Sequence, residues 1–249
     1  MKNILYLFLL YANILFAQSG VVIYSIQLDT TGHNKTRSKL TKEWADIDMK
    51  MNKYAMMQQF ELIFGKNQSS FKYKERLNSD INFDDKINKL AKSAYTSNDD
   101  VFIDLNTNTE FSNKRDGTIV QDTINKNWQI LKESKKIGDY LCYKAILKTP
   151  YINRFGESKI KIIEAWFAPS LPYAFGPENF CGLPGLILEL AANRITTYVA
   201  SKITIEKEDL NITFPKGNTI TKKDYQNAME SSIGGILLAK KREEAKEKN

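Results

Sequence analysis

Histidine is nearly absent from this chain. Its one copy, His33, sits in the polar turn Thr31-Gly32-His33-Asn34-Lys35 and reads as an exposed loop residue. A nucleophile–histidine triad would have to use it, and zinc-enzyme signatures need two or three histidines. Cysteine is scarce too: only Cys142 and Cys181 are present. Nothing nearby adds a second ligand pair, so no metal site is expected. No cofactor motif is visible either: there is no phosphate-binding loop and no βαβ alternation. Long apolar runs are missing beyond the N-terminus, so no transmembrane span is expected in the mature chain.

The N-terminus is the exception. Met1-Lys2-Asn3 gives a short positive start, and Ile4 to Phe16 is apolar apart from Asn13. Leu15-Phe16-Ala17 then offers a small-residue cleavage site. Residues 1–17 read as a secretory signal peptide. The run falls short of the roughly 20 residues a spanning helix needs. The expected location is the periplasm or the outside of the cell. There, an even pair of cysteines suggests one Cys142–Cys181 disulfide. Two buried, unpaired thiols are the alternative.

The formal charge is +7, counting Lys2. Basic residues are scattered and interleaved with acidic ones. A nucleic-acid binder needs a continuous basic stripe or a recognisable module, so nucleic acid is not an expected partner.

What is present is mostly strand pattern. Val21 to Leu28 is β-branched and apolar. Lys42 to Gln59 instead carries Trp44, Ile47, Met51, Tyr54 and Ala55 at helical steps. Its methionines (Met49, Met51, Met56, Met57) read as gap-fillers of the core. Phe60–Phe64 and Ser70–Lys74 suggest a hairpin. Residues 78–100 read as a polar loop with a short helix. From Val101 a meander follows, broken at Asp116-Gly117, Gly138 and Phe155-Gly156. In Tyr140 to Lys148, Leu141, Tyr143, Ala145 and Leu147 alternate against Cys142, Lys144 and Lys148. Ile195 to Ile205 is a long return strand. Thr221-Lys222-Lys223-Asp224 resembles a helix start. The expectation is a mainly β (α+β) fold: a curved antiparallel sheet with an amphipathic helix in the N-terminal half and a C-terminal helix. Residues 18–215 form one domain and 216–249 a helical, charged tail.

Four of the six prolines (Pro169, Pro172, Pro177, Pro184) fall in one short span. Proline cannot donate to a ladder, so the span reads as a connection. It ends in Gly182-Leu183-Pro184-Gly185-Leu186-Ile187. Leu183-Pro184-Gly185-Leu186 fits a type II turn, and the apolar run behind it fits a strand covered on both faces. The motif reads as structural, with no catalytic residue in it.

Gly182 to Leu190 resembles the signature of the GLPGLI family, exported Bacteroidetes proteins whose biochemical function is not established. Trp128 to Leu131, Ile137 to Ala145, Ala165-Trp166-Phe167, Leu171-Pro172, Phe175-Gly176-Pro177 and Phe180 are similar to that family's core, in the same order. The resemblance implies export, a β-rich fold and association with outer-membrane receptor systems, and it implies no active site.

Three functions stay open at this level. The first is a non-catalytic envelope protein that binds an outer-membrane component of the TonB-dependent receptor type. The second is a carrier of a lipid or other apolar ligand, with Trp166, Phe167, Tyr173 and Phe175 as its wall or lid. The third is an enzyme using the strand carboxylates Glu164 and Glu189.

Overall fold

The computed structural model describes residues 19–29, 41–75, 83–97, 99–153, 157–232, 235 and 239. The signal-peptide segment, His33 and the Phe155-Gly156 break lie outside the described residues.

The chain is mainly β. In order it forms β1 (Ser19–Leu28), α1 (Lys42–Met57), β2 (Gln59–Phe64), β3 (Gln68–Lys74), α2 (Asp85–Tyr95), β4 (Asp100–Asp104), β5 (Thr109–Asn113) and β6 (Ile119–Thr123). Next come β7 (Trp128–Ile137), β8 (Tyr140–Ile152), β9 (Ser158–Ala168), β10 (Leu186–Ala191), β11 (Thr196–Glu206), β12 (Thr219–Thr221) and α3 (Lys222–Ser231). The twelve strands make one open sheet in the order β12-β6-β5-β4-β3-β2-β1-β11-β10-β9-β8-β7. All pairings are antiparallel except β12 on β6.

The connectivity forces this sheet to curl. β6 and β7 lie ten strand positions apart, about 48 Å if the sheet were flat. Only residues 124–127 join them, a link that reaches at most about 18 Å. The two flanks must therefore approach each other, and they enclose the core between them. Val22, Tyr24 and Ile26 of β1, Phe60, Leu62 and Phe64 of β2, and Ala165 and Phe167 of β9 are buried in one continuous cluster. Phe60 and Phe71 stack at 5.5 Å, and Tyr198 stands edge-on to both.

The expected alternation in β8 holds from Tyr143 onward and fails at its start, where Leu141 is exposed and Cys142 is buried. Tyr143, Ala145 and Leu147 lie opposite Phe167, Ala165 and Ile163 of β9, while Lys144 lies opposite Trp166.

α1 and α2 pack together around Ala55, Ala91 and Tyr95 and against Leu28 and Ile195. The Tyr95 hydroxyl donates to Asn52 Oδ1 at 2.6 Å, and Thr196 Oγ1 donates to the Tyr95 carbonyl at 2.7 Å. The helix pair is thereby tied to the start of β11. One expectation for α1 fails. Met49, Met56 and Met57 are exposed, as is Trp44 at 61%, so only Met51 packs inward. Asn52 and Ala55 are the helix's buried residues. The helically spaced residues Met51, Tyr54 and Ala55 do lie on the covered face, while Trp44 does not.

After β11 the chain returns over the sheet. Phe214 packs on Phe102 and Phe111, and β12 then joins β6. Thr221 caps α3 by accepting from the Asp224 N–H, as its sequence suggests.

Candidate functional site

Residues 169–185, the proline-rich connection between β9 and β10, lie across the interior of the curled sheet. Asn179 Nδ2 donates to Glu110 on β5 at 2.9 and 3.2 Å. Two residues later, the Cys181 carbonyl accepts from Trp128 Nε1 on β7 at 2.9 Å. One short segment thus touches both flanks. Its own backbone is held by Gly182 N–H to the Ala174 carbonyl, Leu186 N–H to Leu171 and Ile187 N–H to Phe175, at 2.8, 2.9 and 3.0 Å. Phe175, Leu183, Leu186 and Ile187 are fully buried or within 1% of it.

The turn at Pro184 differs from the expected type II turn. Gly185 N–H donates to the Leu183 carbonyl at 2.8 Å, and Leu186 N–H bonds Leu171 instead. This is a three-residue γ-turn centred on proline. Gly185 is required for space: a Cβ there would sit 2.3 Å from the Ala168 carbonyl oxygen, a backbone atom. Gly182 has φ +90°, a left-handed conformation that suits glycine.

The expected disulfide is not formed. Both cysteines are free and buried. Cys142 lies opposite Lys135 of β7, is buried in the same core cluster as Cys181, and has Lys135 and Glu189 as charged neighbours. Cys181 lies near Lys126 and Glu110 on the connection side. Cys142 Sγ donates to the Tyr140 carbonyl at 3.7 Å. Burial pushes the two thiols up, to about 11 for Cys142 and about 12 for Cys181.

The four aromatic candidates do not share one wall. Phe167 and Phe175 are core residues. Tyr173 is partly exposed and rests on Phe64 at 4.5 Å. Trp166 lies on the opposite face from Phe167, with Lys135 Nζ 4.4 Å from its ring centre and Lys144 Nζ at 6.0 Å. The strand carboxylates share that outer face. Glu189 accepts from Lys135 with both oxygens at 2.7 Å, and Glu164 pairs with Lys144 at 2.9 Å. Both strand carboxylates are therefore ion-paired, on either side of a lysine-covered tryptophan.

The perturbed acids are elsewhere, at positions the sequence did not single out. Glu178 takes a left-handed φ of 54°, costly for a residue with a side chain, and accepts from the Tyr198 hydroxyl at 2.8 Å. Burial raises its carboxyl, against the lowering effect of that hydrogen bond. Glu110 is buried and likewise raised by burial, opposed by Asn179. Both acids anchor the proline-rich connection. In the sequence Pro177 marks only part of a connection, and nothing in the composition around Glu178 signals a buried carboxyl. Among the described residues, no group of three or more His, Cys, Asp or Glu could hold a metal. None of their helices is long and apolar enough to cross a membrane.

With this geometry in place, the comparisons are informative about fold. A family described as Protein of unknown function (Porph_ging) matches residues 153–189. That segment covers β9, the proline-rich connection and the start of β10, with the whole Gly182–Ile187 motif. No curated protein matches the chain. Among solved structures, one of PNGF-II in a C2 crystal is similar at a TM-score of 0.51 and 15% identity, over 86% of this chain and 33% of that one. A second PNGF-II structure, in P21, gives 0.49 and 16%, over 86% and 34%. This chain therefore spans about a third of the length of PNGF-II. LprF from Mycobacterium bovis gives a TM-score of 0.21 at 10% identity, over 83% of this chain and 91% of that one. At such identities the PNGF-II likeness speaks for the fold alone.

Proposed function

We propose that this chain is an exported, non-catalytic binding protein of the cell envelope, of GLPGLI type, that docks an outer-membrane receptor protein through the outer end of the β8–β9 hairpin. The observation carrying this reading is an unsupported two-stranded arm. β7 pairs with β8 only as far as Leu147, and β10 pairs with β9 only as far as Glu164. Beyond these points, among the described residues, Lys148–Ile152 and Ser158–Ile162 pair only with each other. An isolated two-stranded ribbon is marginal in water, and unpaired edges invite another strand. Ile160 and Ile162 project from one face, 66% and 54% exposed, and Tyr151 from the other at 47%. An arm with two free edges and apolar side chains on both faces suits contact with a protein surface.

The proline-rich connection supports the arm indirectly. By filling the interior it fixes β9 at Ala165 to Ala168, where the arm is rooted. The ion-paired state of Glu164 and Glu189 supports a binding role over an acid–base one.

The test is capture from detergent-extracted envelope of the native bacterium, with residues 18–249 as bait and an Ile160→Ser/Ile162→Ser double variant beside it. Recovery of an outer-membrane receptor by the parent and its loss with the variant is the expected result. Equal recovery, or none by either, sinks the proposal.

A further inference from the structure

The docking arm has two free edges, and they are not equivalent. β8 carries Pro150 in the middle of its free stretch. Proline has no N–H to give a ladder, and within a sheet it sits with that side turned to solvent. The outer edge of β8 is therefore closed to an added strand. The free stretch of β9, Ser158–Ile162, has no proline, and every residue in it is exposed. β10 pairs with β9 no further than Ala191 opposite Glu164. There the Ala192 N–H turns to the Thr196 carbonyl at 3.1 Å, and the chain goes over to β11. Among the described residues, the place beside Ser158–Ile162 is thus an unfilled strand position in line with β10.

The two faces flanking that position differ in chemistry. Ile160 lies opposite Pro150 and Ile162 opposite Lys148, on one face of the ribbon. Lys159 lies opposite Tyr151 and Lys161 opposite Thr149, on the other. Ser158–Ile162 thus alternates apolar and basic residues at the strand period. Among the described arm residues, Lys148, Lys159 and Lys161 outnumber one acid, Glu157. That acid pairs with Lys159 at 3.1 Å, with both side chains more than half exposed. The arm is therefore net positive.

These features discriminate among occupants of the edge. A second copy of this chain, pairing antiparallel about Ile160, would set Lys159 opposite Lys161 twice, and like charges directly opposite are destabilising. An anionic bilayer would have to attract lysines and isoleucines from one side, whereas the ribbon holds them on opposite faces. A strand entering beside β9 meets both faces at once, because its own side chains alternate between them. Its apolar residues would lie beside Ile160 and Ile162, and acidic ones beside Lys159 and Lys161.

We propose that the β9 edge at Ser158–Ile162 is completed by an extended partner segment of alternating apolar and acidic residues, added as a strand. The proposal rests on the docking-arm reading and gives the chemistry of the segment the arm receives.

The test uses residues 18–249 and three short, capped, fluorescent peptides. One alternates valine and glutamate, one alternates valine and lysine, and one holds the valines and glutamates of the first in two blocks. In an anisotropy titration the alternating acidic peptide should bind about tenfold more tightly than either of the others. Lys159→Glu/Lys161→Glu should reverse the preference toward the valine–lysine peptide, an outcome that unfolding does not produce. Bound acidic peptide should slow amide exchange in Ser158–Ile162 and leave α1 and α2 unchanged. Absence of binding, equal binding of the block and alternating peptides, a preference untouched by charge reversal, or protection elsewhere overturns the proposal. So does dimerisation through the arm, or binding to phosphatidylglycerol vesicles in place of the acidic peptide. Envelope capture separates the two readings. If Ile160→Ser/Ile162→Ser loses the receptor while Lys159→Glu/Lys161→Glu keeps it, docking by the arm stands and acidic strand addition falls.

Discussion

The Tyr24 hydroxyl donates to the Ile187 carbonyl oxygen at 2.6 Å, and both residues are fully buried. β11 lies between their two strands in the sheet, so this bond reaches past a neighbour to hold the end of the proline-rich connection. Tyr24→Phe keeps the ring and leaves that carbonyl short of a donor. Stability should fall by about 1–3 kcal/mol, read from urea unfolding with m unchanged.

Gly185 is the position where the motif tolerates no side chain. Gly185→Ala drives a Cβ into the backbone at Ala168 and Pro169, neither of which can swing away. A loss of about 3 kcal/mol is expected, the upper part of the range for overpacking. Gly65→Ala is the control, since nothing lies within 4 Å of the added carbon. A Gly185→Ala variant as stable as the control would show that the close approach has no energetic weight.

Both thiols should be protonated and shielded near neutral pH, given values of about 11 and about 12. The thiolate is the reactive form. Iodoacetamide should therefore label neither cysteine in the native protein and both in urea, without reductant. A Cys142–Cys181 cross-linked peptide in a non-reducing digest would contradict the free thiols.

Glu110 and Glu178 set a pH dependence. Burial raises both in the folded state, so folded protein binds more protons than unfolded protein just above the ordinary carboxylate value. Their contribution is fully present below that value and is lost as pH rises through the raised folded values. Glu110→Gln/Glu178→Gln should therefore gain stability relative to the parent across the interval that rises from the ordinary carboxylate value of 4.5 toward neutrality. Parallel unfolding curves for the two proteins across that interval would argue against the buried-acid account.

Methionine oxidation tests the orientation of α1. Met49 and Met56 are more than half exposed, while Met51 packs against the Ala55–Ala91 cluster. Peroxide should convert the first two to sulfoxides well before Met51, by peptide mass spectrometry.

The amino-acid sequence alone determined the local structure. Alternation in Tyr140 to Lys148 specified a strand, because side-chain period in a strand is two whatever lies opposite, but not the exposure of Leu141 and the burial of Cys142. Thr221 and Asp224 specified a helix start, because the cap is made within one turn. The clustered prolines specified a connection. Long-range partners were the part only tertiary structure decided. The curl follows from β6 and β7 being joined by a short link at opposite flanks, and no single strand records that order. Burial of Glu178 and exposure of Met49 depend on what crosses above them. Cys142 and Cys181 lie buried in one core cluster yet unbonded, because a bond needs a specific approach of the two Cα atoms that no residue count records.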